Sequence, residues 1–150
     1  ESAKQTSQLL KTVQFLKQQK ENIEKVNNVI RQLKAVREIA KNNQLLFDVV
    51  QKDLRQILNS PYIKQDEVNR ISQSFNAIIE NSLEGLDYID QILSSNNLKM
   101  TDAERAEVLK EKELQSKEMV AEIEAKTNRY REIIAFRELQ AKINKRETSY

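Results

Sequence analysis

Apolar residues recur every three or four positions along most of this chain, the spacing that lines one face of an α-helix. Between Ser2 and Asn59 there is neither glycine nor proline. Stepping by threes and fours gives Leu9, Val13, Leu16, Lys20, Ile23, Val26, Ile30, Leu33, Val36, Ala40, Asn43, Phe47, Val50, Leu54 and Ile57. Only Lys20 and Asn43 interrupt the apolar run. Forty-eight residues in fourteen steps is 3.43 per step, close to the 3.5 of a left-handed supercoil. The pattern predicts a first helix over 2–59, continuous or kinked. Asn42-Asn43 is where it would break, because asparagine competes with the helix backbone and favours turns.

Asn59-Ser60-Pro61 closes that tract, since the proline ring disfavours helix at the residue before it. A second helix is expected over 62–95, with Ser60 capping and Pro61 in the first turn; the alternative start lies near Asp66. Its seam reads Val68, Ile71, Phe75, Ile78, Ser82, Gly85, Ile89 and Ile92, and ends in the turn-rich Ser94-Ser95-Asn96-Asn97. Thr101-Asp102-Ala103-Glu104 reads as a capping box opening a third helix over 102–146. Its apolar stripe is Val120, Ile123, Tyr130, Ile133, Ile134, Phe136 and Ile143, while 110–118 carries only Leu114 and reads as lightly packed. The expected architecture is all-α: one elongated domain over 1–150, a bundle of three long helices with coiled-coil-like packing.

Composition strengthens this picture. The chain has one glycine (Gly85), one proline (Pro61), and no cysteine, histidine or tryptophan. A β-rich or loop-rich fold needs glycine and proline at its turns. Apolar residues are 39% and charged residues 32%, with aromatics at 5%, so any core is thin. Without His or Cys there is no Ser-His triad, thiol nucleophile or zinc finger, and no acidic cluster sits in a loop where it would converge on an ion. The expectation is a non-enzymatic protein with no cofactor, metal or catalytic residue. No apolar run approaches the ~20 residues of a membrane span.

Charge is unevenly spread. Residues 1–59 hold eleven bases and six acids, residues 60–100 three bases and six acids, and the remainder eleven of each. A basic first helix beside an acidic second fits an antiparallel pair. The net charge of +2 is too small to imply a nucleic-acid partner. The third helix has eight acids and four bases in 101–125, then seven bases and three acids in 126–150, an order that complements its macrodipole.

Few residues stand out as candidate sites. Ser82 and Gly85 fall one step apart on the second seam and read as a notch where a side chain of the facing helix approaches closely, with Val36, Ile39 or Ala40 opposite; the alternative is a hinge at Gly85. Tyr62 in the first connection, and Leu98 and Met100 in the second, are either partner contacts or caps over the bundle ends. The basic group Arg129, Arg131, Arg137, Lys142, Lys145 and Arg146 is interleaved with Glu132, Glu138 and Glu147 and reads as a solvated face.

Long Gln/Asn/Lys-rich helices, the helix start Lys99-Met100-Thr101-Asp102-Ala103-Glu104-Arg105 and the later Thr127-Asn128-Arg129-Tyr130-Arg131-Glu132 together resemble the TrbJ-type conjugative-transfer proteins. These are exported components of type IV secretion systems related to the minor pilins. The resemblance covers most of the chain through texture and short strings, and implies an elongated helical bundle acting in pilus assembly or adhesion, with secretion-apparatus subunits as partners. It implies a periplasmic or cell-surface location if a signal peptide was removed ahead of Glu1, and a cytoplasmic one otherwise. A second class stands beside it: an intracellular coiled-coil adaptor or scaffold that oligomerises through its helical seam.

Overall fold

With no glycine or proline to interrupt it, the first tract stays helical to the Asn59-Ser60-Pro61 boundary. The computed structural model describes residues 2–94 and 99–148. In it α1 (Ser2–Val49) runs through a π-helical segment (Val50–Leu54) into α2 (Arg55–Leu58). The Asn59 N–H closes the last turn on the Arg55 carbonyl at 3.1 Å. Asn42-Asn43 does not break α1.

The buried positions differ from the expected seam. Predicted positions Val36, Ala40, Asn43 and Phe47 are each one residue late: Ala35, Ile39, Asn42 and Leu46 face the core, while Ala40 and Phe47 are exposed. Continuing inward, Leu46, Val50 and Leu54 take two consecutive four-residue steps. Two α-helical turns use only about 7.2 residues, so the excess is absorbed by the wider π turn. The expected and observed seams coincide again at Leu54 and Ile57, both buried.

The connection to α3 (Gln65–Ser94) is a tight turn over a buried Ile63. Helix α3 begins at Gln65 rather than at 62, because Ser60 is spent on the turn. Its Oγ accepts from the Tyr62 N–H at 3.2 Å, and its carbonyl accepts from the Ile63 N–H. The helix start is instead supported by Glu67, whose Oε1 accepts from the Lys64 N–H at 3.0 Å. The predicted α3 seam is the observed one: Ile71, Phe75, Ile78, Ser82, Ile89 and Ile92 are buried. Helix α4 (Asp102–Thr148) is capped as expected by Thr101, whose Oγ1 accepts from the Glu104 N–H at 3.1 Å.

Cross-helix bonds fix the topology. Arg31 meets Glu107, Asn42 meets Ser116 and Asp53 meets Arg131, so α1 and α4 run parallel. Asn43 meets Ser82 and Glu67 meets Arg137, so α3 runs antiparallel to both. The expected antiparallel relation of α1 to α3 is present, but α1 packs most extensively along α4. Among the described residues there are no strands, and the fold is an all-α three-helix bundle.

The core has two apolar clusters. One groups Leu46, Leu54, Ile57, Ile63, Ile71, Phe75, Ile78 and Ile123; the other groups Ala35, Ile39, Ile89 and Leu109. The α4 seam includes Ala106, Leu109, Ser116, Ile123 and Thr127. Small polar members made it invisible to a search for large apolar residues, and the stretch expected to be lightly packed carries a buried Ser116 at its middle. Predicted stripe members Phe136 and Ile143 are exposed instead: Phe136 turns outward beside Arg137, which bonds the closing turn, and Ile143 lies past that turn.

Candidate functional site

The largest surface feature follows from the length mismatch of the helices. The Gln32 side chain donates to the Asp102 carbonyl at 3.0 Å, Arg31 pairs with Glu107 one turn further along α4, and Thr101, Asp102 and Ala103 line one surface pocket with Glu21, Glu24, Lys25 and Asn28, so α4 starts beside that stretch of α1. Helix α1 up to about residue 20 therefore overhangs the bundle by roughly 28 Å at 1.5 Å per residue. All of residues 7–27 are exposed. Along this arm, and on beside the bundle, Leu9, Val13, Leu16, Ile23, Val26, Ile30 and Leu33 are all more than half exposed. They are the first half of the expected seam, and among the described residues no part of this bundle covers them.

The geometry explains why. Val26 and Ala35, Ile30 and Ile39, and Leu33 and Asn42 are each nine residues apart, two and a half turns at 3.6 residues per turn. The first of each pair is exposed and the second buried. Helix α1 therefore carries an inner stripe that builds the bundle and an outer stripe on its opposite face. A shorter apolar row, Phe136, Leu139 and Ile143, is exposed near the far end of α4.

A second feature lies inside. Between the two apolar clusters sits a polar layer drawn from all three long helices. The Asn42 Nδ2 donates to the Ser116 Oγ at 2.9 Å, and the Ser116 hydroxyl donates to the Glu113 carbonyl at 2.6 Å. The Asn43 Nδ2 donates to the Ile39 carbonyl at 2.8 Å, and its Oδ1 accepts from the Ser82 hydroxyl. Tandem asparagine thus survives mid-helix because one side chain turns to α4 and its neighbour to α3. Beside the layer is a cavity of about 20 Å³ lined by Asn43, Ser82, Gly85 and Ser116 among others, room for about one water. A buried polar layer of this kind fixes register in helical bundles, and it holds no arrangement of nucleophile and base.

Gly85 is not a tight notch. A Cβ placed on it meets no atom within 4 Å, so the expected close approach is overturned at Gly85. Ile39 lines the same cavity but stands off, and Ala40 faces solvent. Ser82 is buried, through its bond to Asn43 rather than through steric closeness.

A charged clasp closes the end of the bundle. The Arg137 Nη1 and Nη2 donate to the two Glu67 carboxylate oxygens at 2.6 and 3.0 Å, and Nη1 also donates to the Tyr62 carbonyl at 2.8 Å. The Arg137 guanidinium, with the Lys64 N–H, lowers the Glu67 carboxyl from 4.5 to about 2. Hydrogen bonding to Glu67 pushes the Arg137 guanidinium up. Half-buried Tyr62 is held to α4 by its carbonyl. Met100 is half-buried at the other end, and Leu98 lies outside the described residues. In the expected basic face, Arg131, Arg137 and Lys142 are ion-paired with Asp53, Glu67 and Glu138.

No helix of the described residues is long and apolar enough to cross a membrane. Among the described residues, no three His, Cys, Asp or Glu converge as a metal site would require. Compared with models of known protein families, with curated proteins and with solved structures, the chain matches none.

Proposed function

We propose that this chain is a non-enzymatic interaction protein that presents the outer stripe of α1 to a helical protein partner. One observation carries the reading: a run of large apolar residues at helical spacing, more than half exposed, along an arm that overhangs its own bundle. An apolar surface of this extent, rimmed by polar residues, marks an association site, and an apolar stripe with coiled-coil spacing matches another amphipathic helix. The polar layer and the charged clasp serve the scaffold: they hold the helix that bears the stripe in one register. The resemblance to TrbJ-type proteins supports a place among exported components of a conjugative type IV secretion apparatus, in pilus assembly or adhesion. The outer stripe supports the adaptor or scaffold reading as well, since a seam left open by its own bundle is what such a protein oligomerises through.

The test is a pair of charge insertions on the stripe, Leu16→Glu and Ile30→Glu, in the full chain. The expected result is unchanged helical circular dichroism and thermal midpoint with loss of every protein association, to itself or to others. Associations that survive both substitutions overturn the reading. A ligand that binds only the native state raises its melting temperature, so a shift of several degrees with a metal ion or nucleotide restores an enzymatic reading.

A further inference from the structure

The outer stripe is self-complementary. Counted from Ile23, Lys20 and Val26 lie three residues to either side, Leu16 and Ile30 seven, and Val13 and Leu33 ten. The 3-4-3 order of steps is therefore the same in both directions. A two-fold axis through Ile23 lays Leu16 of one chain against Ile30 of a second, and Val13 against Leu33, in the alternating layers of an antiparallel coiled coil. We infer that the occupant of the outer stripe is a second copy of this chain, its α1 antiparallel and centred on Ile23; this rests on the stripe being an association site, as proposed above.

Charge selects the antiparallel arrangement over the parallel one. Lys20, the one polar stripe member, lies against Val26 of the second copy, its stem on the apolar surface and its ammonium at the edge. A parallel pair would set Lys20 on Lys20 in the seam, an uncompensated like-charge contact.

The inner stripe, half a turn away, stays engaged in its own bundle, so pairing requires no unfolding.

The chain has no cysteine, which makes single-cysteine variants clean reporters. Val13→Cys, Ile23→Cys and Leu33→Cys, all at exposed positions, are made in the full chain and treated with a short bismaleimide. The expected result is that Ile23→Cys cross-links to itself, while Val13→Cys cross-links only when mixed with Leu33→Cys. Two Val13 positions lie about 30 Å apart across the two-fold axis, from twenty residues of helix rise. Ile23→Glu, which sets two carboxylates against each other on the two-fold axis, should weaken dimerisation by about tenfold or more. Self-cross-linking at all three positions means a parallel pair and overturns the proposal. A monomeric mass by sedimentation equilibrium with no cross-link overturns it too, while stripe-dependent binding of a different protein then leaves the interaction reading standing. A monomer that co-sediments with phosphatidylserine-containing vesicles through the stripe assigns the face to lipid and overturns both.

Discussion

Ile30 and Ile39 sit nine residues apart on one uninterrupted helix and on opposite sides of it, Ile30 at 55% exposure and Ile39 at 3%. The same residue type at neighbouring levels therefore has two different jobs, and substitution separates them. Ile39→Ala removes buried methylenes from the Ala35–Ile89–Leu109 cluster and should cost about 2–5 kcal/mol. Ile30→Ala should stay within about 0.5 kcal/mol at protein concentrations low enough to leave the outer stripe unpaired. Urea denaturation of both variants checks this; equal losses would mean that α1 has no inner and outer face.

The polar layer predicts an energetic coupling. Asn42 and Ser116 are buried partners on parallel helices 2.9 Å apart, and neither keeps that bond without the other. A double-mutant cycle of Asn42→Ala and Ser116→Ala should give a coupling of about 0.5–1.5 kcal/mol. A coupling near zero would place the two side chains apart in solution.

Gly85→Ala should stabilise the protein. Glycine in a helix interior costs about 1 kcal/mol relative to alanine, and the added methyl meets no atom within 4 Å. The expected gain in chemical denaturation is therefore up to about 1 kcal/mol. A net loss would mean that α3 and α1 approach more closely at this level than their backbones do here.

Acid should unfasten the bundle at the Pro61 end. The Glu67 carboxyl is held at about 2 instead of 4.5, so the folded state binds its proton less readily than the unfolded chain does. Its contribution is full above the unfolded value and is lost as pH falls from about 4.5 towards 2. Glu67→Gln should flatten that part of the stability profile and lower stability at neutral pH, where Arg137 would lose its charged partner. A variant whose acid limb matches that of the original protein would show that the clasp contributes nothing.

Local chemistry alone made a good part of this readable. The α3 seam from Ile71 to Ile92 was legible residue by residue, since one helix with one buried face keeps its apolar residues in phase. The Thr101 cap and the stop at Pro61 were legible because both depend on bonds within a few residues of backbone. The start of α3 was not: Ser60 serves the turn over Ile63, and Glu67 takes up the Lys64 N–H, a choice between two local partners that packing makes.

By itself, then, the amino-acid sequence determined that the chain is helical, where its long helices end and which face of α3 is apolar. Those properties follow from backbone propensity and short-range spacing. Tertiary structure decided the rest. A helix with apolar residues on two sides has no intrinsic inside, and α1 reads as a single seam until α4 and α3 take one side from Ala35 onward and leave Leu9 to Leu33 outside. The same partners draw Asn42, Asn43, Ser82 and Ser116 into one layer, where each asparagine finds the hydrogen bond that would otherwise have ended the helix.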